Sequence, residues 1–184
     1  MGDTKEALQK GDIWGVPILI FVTVGSRPYP FDRLFKKLDE LYEAGILSEP
    51  AFAQIGTSSY QPKHYQYVQY LLPDEFDERI KQASIVVSHG ASGSIMKGLN
   101  EGKKVIAVTR LASKYGEHID DHQIQNNEAF ACNHYVLMPD VELNDLGACF
   151  QKIYNGTDGL VEWENKEPMA IVNIIDEFIQ NNWK

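Results

Sequence analysis

Apolar positions along this chain fall into short continuous runs that alternate with stretches of helical spacing. Val16 to Gly25, VPILIFVTVG, is apolar almost throughout and stopped by glycine, the pattern of a strand buried on both faces. PFDRLFKKLDELYEAG follows, with Phe31, Leu34, Phe35, Leu38 and Leu41 (or Tyr42) at helical spacing and Gly45 as a stop. AFAQIG predicts a second strand, and the aromatic–polar alternation of SSYQPKHYQYVQYL a third near Tyr67 to Leu71. PDEFDERIKQAS predicts a helix opened by Pro73, IVVSH a strand, SGSIMKGLNEG a helix and KKVIAV a strand. After the long loop TRLASKYGEHIDD come a helix from about His122 to Cys132, a strand HYVLM and a helix from about Glu142 to Tyr154. GTDGLVEWENKEP reads as a linker, and MAIVNIIDEFIQNNW as a closing amphipathic helix with Ile171, Ile174, Ile175 and Phe178 on one stripe. That stripe either packs on its own sheet or docks a partner.

The alternation of strand and helix implies one α/β domain, Rossmann-like, with a mostly parallel sheet and helices on both faces. Residues 1–15 are polar and aperiodic and read as an extension; residues 16–184 read as the single domain. Right-handed crossovers gather the strand-to-helix turns at one sheet edge, where ligands bind in such folds.

Charge and cysteine usage narrow the partners. Asp and Glu outnumber Lys and Arg, 26 to 17, which disfavours nucleic acid and direct contact with an anionic membrane. Cys132 and Cys149 have no metal-ligand spacing and read as reduced, buried thiols of a cytosolic protein. The opening MGDTKEALQKGDIWG lacks the features of a secretory signal, and the longest apolar run is too short to cross a bilayer. A membrane role would therefore run through a partner.

Three turns at the expected ligand edge carry chemistry: TVGSRPYPF, SHGASGS and TRLASKYGEHIDDHQ. The glycines of the second admit an anion to the uncompensated amides of a helix start, and Ser92 or Ser94 would cap that helix or bind a phosphate oxygen. Three such donors would hold a diphosphate without a metal. A nucleophile elbow is the rival, since Gly90-Ala91-Ser92-Gly93-Ser94 is one residue from G-x-S-x-G, with Asp120 or Asp121 and then His122 or His134 in triad order. A metal site at His118 and His122, with Asp120 and Asp121 between them, lacks a third histidine ligand nearby. His64 and His134 read as surface or structural residues, and Tyr60, Tyr65, Tyr67 and Tyr70 as a half-buried strand face.

In order, IFVTVGS, PFDRL, QIGTSSYQP, FDERIKQASIVVSHGASGSI, GKKVIAVTRL and YGEHIDDHQ form a series within about Ile20 to Met138. The series resembles the C-terminal, donor-binding domain of family-28 glycosyltransferases. More narrowly, it is similar to the free-standing PssE-type subunit of bacterial exopolysaccharide synthesis. The resemblance implies half of a GT-B enzyme that binds a UDP-sugar, with no cofactor and no metal. It implies inverting transfer to a lipid-linked saccharide acceptor, made with a membrane-anchored, acceptor-binding glycosyltransferase subunit that brings this cytoplasmic chain to the inner face of the membrane. Carried over by position, Gly25, Ser26, Gly90, Ala91, Ser92, Gly93 and Ser94 would surround the diphosphate. Arg110 and the loop through Glu117, His118 and Asp121 would line the donor cleft, and His122 and Gln123 would contact the donor sugar. His89 and His118 are the in-chain candidates for the catalytic base. Lys97 departs from the family, many of whose members carry there a Glu that binds the ribose hydroxyls. A non-catalytic accessory subunit of a membrane-anchored transferase is the alternative of a different class.

Overall fold

The computed structural model describes residues 19–118 and 123–164. Five parallel strands run in the order β3-β2-β1-β4-β5: β1 (Ile20–Thr23), β2 (Ala51–Gln54), β3 (Gln66–Val68), β4 (Ile85–Ser88) and β5 (Lys104–Ala107). Between and after them lie α1 (Asp32–Glu43), α2 (Pro73–Gln82), α3 (Ser92–Asn100), α4 (Ala112–Tyr115), α5 (Gln123–Cys132) and α6 (Leu146–Tyr154).

The alternation of side chains along each strand divides the core into two layers. Ile20, Val22, Ile85, Val87 and Ile106 face α1 and α6, meeting Leu34, Phe35, Leu38, Leu146 and Phe150. Phe21, Phe52, Val86, Val105 and Ala107 face α2 and α3, meeting Ile80, Ile95 and Leu99. Burial on both faces is why the strands read as unbroken apolar runs. α1 is fixed at its start by the β2–β3 loop: Phe31 N–H donates to Ser58 Oγ, and the Asp32 carboxylate accepts from Ser59 and Tyr60.

Four expectations are corrected. HYVLM forms no strand; Leu137 alone bridges Ile106, donating to Val105 O at 3.0 Å and accepting from Ala107 at 2.8 Å. The ladder cannot extend either way, because Pro139 has no N–H and the Tyr135 N–H is taken by Phe130 O. The last described helix starts at Leu146 rather than near Glu142. The Asp140 carboxylate accepts from the backbone N–H groups of Glu142, Asn144 and Asp145 and holds a turn there, with Leu143 at φ 64. The loop after β5 contains a helical turn, α4, closed by Gly116 in the left-handed region. Of the two cysteines expected to be buried, Cys149 is, whereas Cys132 at the end of α5 is exposed. The closing helix and the extension expected at residues 1–15 lie outside the described residues. Among those described, no helix is long and apolar enough to cross a membrane.

Candidate functional site

β1 is flanked by β2 on one side and β4 on the other, so the chain's crossovers diverge there, and a cleft of about 400 Å³ opens at the carboxyl ends of the strands. The turn after β1 contributes Gly25, Ser26 and Arg27; the turn after β4 contributes His89, Gly90, Ala91, Ser92 and Ser94. Arg110 and His118 enter from the segment after β5, and Gln123 and Asn126 from α5.

Two glycines are required by geometry. Gly25 has φ 70, and a Cβ there would stand 2.6 Å from His89 Cε1. Gly90 has φ 79, and its Cβ would stand 2.6 Å from Asn127 Nδ2. Both turns therefore press bare backbone against buried polar side chains.

His89 is fixed from within. Its backbone N–H and its ring Nδ1 both lie 3.2 Å from Thr23 O. A carbonyl only accepts, so Nδ1 carries the proton and Nε2, beside Gly25, is the acceptor nitrogen. Burial, helped by the positive charge of Arg110, lowers the His89 pKa to about 3. A histidine depressed in this way stabilises the fold fully above its unfolded value of about 6.5 and loses that contribution as pH falls toward about 3. Urea denaturation is expected to show about 2 kcal/mol less stability at about pH 5 than at neutrality from this group. His89→Gln should remove that slope, and an unchanged slope in the variant would locate the titration elsewhere.

The start of α3 is bare. Its N-cap is Ala91, which has no side chain to bond the first-turn amides. Contrary to expectation, neither serine caps it: the Ser94 hydroxyl donates to Ala91 O at 3.1 Å and meets Ser88 Oγ at 2.7 Å. Ser92 and Gly93 are exposed on the first turn, where amides and helix dipole favour an anion. The nucleophile-elbow reading finds no support here. Among the described non-glycine residues only His134 and Leu143 have positive φ, so Ser92 lacks the strained backbone of an elbow.

Arg110 is fully buried, and its Nη2 donates to Val24 O and Tyr29 O, each at 2.8 Å. Among the described residues its Nε and Nη1 have no partner, and burial lowers its pKa to about 10, which leaves it charged at neutral pH. Glu117 does not line the cleft. It pairs with both Nε and Nη2 of Arg33, at 2.8 and 3.0 Å, and accepts from Leu111 N–H, so it anchors the loop to α1. His118 sits at the cleft with its ring 5.3 Å from that of Tyr29. Asp120, Asp121 and His122, and with them most of the possible metal loop, lie outside the described residues.

Arg27, Asn126 and Asn127 were not anticipated. Asn127 is fully buried, donates to Thr109 Oγ1 at 3.0 Å and backs Gly90. No local sequence signal marks Asn127: only the folded structure shows that α5 buries two amides one turn apart, Gln123 and Asn127. Lys97 points away from the cleft and is paired with Asp77 of α2. His64 is bonded to the buried Asp39; Tyr60 and Tyr65 pack on the core, whereas Tyr67 and Tyr70 are exposed.

A parallel sheet wrapped by helices, with its cleft at the switch point of the strand order, is one half of the GT-B architecture. Solved structures share it. The glycotransferase of kitacinnamycin superposes with a TM-score of 0.59 at 18% identity, over 86% of this chain and 40% of its own. MurG of Acinetobacter baumannii gives 0.58 at 14%, over 91% and 50%. A UDP-glucose:anthocyanidin 3-O-glucosyltransferase in complex with UDP gives 0.54 at 14%, over 100% and 40%. The chain thus spans half or less of these structures. No curated protein matches it. The chain belongs to glycosyltransferase family 28: the model of the family's C-terminal domain matches residues 19–154.

Proposed function

We propose that this domain binds a UDP-sugar as the catalytic subunit of a two-component inverting glycosyltransferase. In this reading it works with a membrane-anchored, acceptor-binding subunit at the inner face of the membrane and builds bacterial exopolysaccharide or capsule on a lipid-linked acceptor. One observation carries the donor site. Four buried side-chain atoms among the described residues lack a hydrogen-bond partner, namely Arg110 Nε and Nη1, Gln123 Oε1 and Asn127 Oδ1, and all belong to residues in or directly behind the cleft. Leaving one such group unmade costs about 1–3 kcal/mol, so their concentration marks where a polar ligand completes the bonding. The cleft supplies positive charge from Arg27, Arg110 and the bare start of α3, and its described lining includes no acidic side chain. That suits a diphosphate, while the Gln123 amide oxygen suits a sugar hydroxyl.

In the proposed reaction the acceptor oxygen bonds to the anomeric carbon as the bond to the diphosphate oxygen breaks on the opposite face. The amides and Arg110 stabilise the leaving charge. His89, with a pKa of about 3, is a poor proton acceptor at neutral pH and serves as a hydrogen-bonding wall. The acceptor's proton then passes to His118 or to a group of the partner subunit.

The accessory-subunit reading has one observation in its favour: Lys97, in place of a carboxylate, is tied to Asp77. Titration calorimetry separates the two. The catalytic reading expects UDP to bind the isolated chain, compete with a UDP-sugar and be indifferent to EDTA, with transfer appearing when the partner is added. Absence of UDP binding would favour the accessory role, strict metal dependence would move attention to the loop at residues 117–122, and robust transfer by the chain alone would defeat the split-enzyme reading.

A further inference from the structure

Gln54 closes β2 and stands outside the three turns singled out for their chemistry, yet it reaches the first glycine turn. Its side chain is buried, and Nε2 donates to Gly25 O at 2.9 Å. The neighbouring peptide, Val24–Gly25, is pinned at both ends: Val24 O accepts from Arg110 Nη2, and Gly25 N–H donates to Thr23 Oγ1 at 3.1 Å. The Gly25–Ser26 peptide is pinned at its carbonyl alone. Ser26 N–H has no acceptor among the described residues, and Ser26 lines the cleft. In a trans peptide the C=O and the N–H point in opposite directions. Drawing the Gly25 carbonyl back toward β2 therefore turns the Ser26 N–H away from β2.

We infer that Gln54 is a positioning residue that holds the Gly25–Ser26 peptide plane so that the Ser26 amide is presented to an anionic oxygen of the ligand. The inference rests on the diphosphate reading of the cleft. A glycine at φ 70 has little steric preference of its own, so without this tether the plane is free to turn over. With the tether, one donor is aimed before the ligand arrives, and the Gln54 amide never touches the ligand.

Two substitutions test the assignment, with UDP as the probe and calorimetry as the readout. Gln54→Leu removes the donor at every pH and is expected to weaken UDP binding about tenfold or more, the worth of one hydrogen bond to a charged group. Gln54→Glu carries a donor only while protonated. Burial beside the Gly25 carbonyl raises that carboxyl above the ordinary value of about 4.3, so its affinity relative to the unaltered protein should climb toward unity as pH falls to about 5 and drop about tenfold or more by about pH 8. Thermal melts at each pH report stability separately, and a merely structural role would lower melting temperature without a pH-dependent affinity ratio. Equal affinity for all three proteins would overturn the assignment while leaving the cleft intact. Loss in Gln54→Glu without loss in Gln54→Leu would also overturn it, since simple charge repulsion would then suffice. Absence of UDP binding by the unaltered protein would instead remove the diphosphate reading on which it stands.

Discussion

Ser92→Asp is expected to abolish nucleotide binding while leaving the fold intact. Ser92 is the first residue of α3 and is exposed, so a carboxylate there meets unpaired first-turn amides and a favourable helix dipole. Thermal melting should be unchanged or slightly higher. The same carboxylate would stand where the proposed donor site receives a phosphate. At about 4 Å and an effective dielectric near 20, the repulsion is about 4 kcal/mol, roughly a thousandfold in affinity. Calorimetry with UDP reads the outcome directly, and normal binding would show that the phosphate lies elsewhere.

Arg110→Met should produce the second large effect, a loss of about a hundredfold or more in UDP affinity. Two charge-assisted hydrogen bonds from Nε and Nη1 would disappear at about 1.5–3 kcal/mol each. The effect on stability is a difference of opposing terms. The variant strands the carbonyls of Val24 and Tyr29, but it also removes two unpaired donors and a buried charge. The melting temperature should therefore move by far less than the affinity suggests. Arg110→Lys should fall between, because an ammonium keeps the charge and loses the fork that reaches both carbonyls and cleft. An Arg110→Met protein that melts normally and binds UDP unchanged would exclude Arg110 from the ligand's shell.

The sheet was legible because β1, β4 and β5 are continuous apolar runs, and the two glycine turns because bare backbone at a strand end leaves few other readings. What escaped depends on contacts that no local pattern records. HYVLM has the composition of a strand, but one missing N–H at Pro139 and one diverted N–H at Tyr135 reduce it to a bridge. The stretch from Glu142 has helical spacing, yet Asp140 captures its first amides in a turn. Glu117 sits in a loop rich in functional residue types and reads as one of them. Its partner, Arg33, lies 84 positions earlier, and nothing near Glu117 announces it. Gln54 and Asn127 are legible only once the sheet is assembled, because each acts across strands on a glycine remote in sequence.

The Arg33 guanidinium spans more of the molecule than its place on α1 suggests. Besides Glu117 it bonds Val141 O at 2.6 Å and Thr109 O at 2.5 Å, so a single side chain clasps the end of β5, the loop beyond it and the approach to α6. The segment from Thr109 to Glu117 is therefore held by contacts within the chain itself, none of which calls on a ligand. A ligand arriving at Arg110 meets a guanidinium standing on a fixed platform, and the entropy of ordering that stretch of chain belongs to folding rather than to association. Such preorganisation favours rapid capture, since encounter does not wait for this part of the wall to assemble.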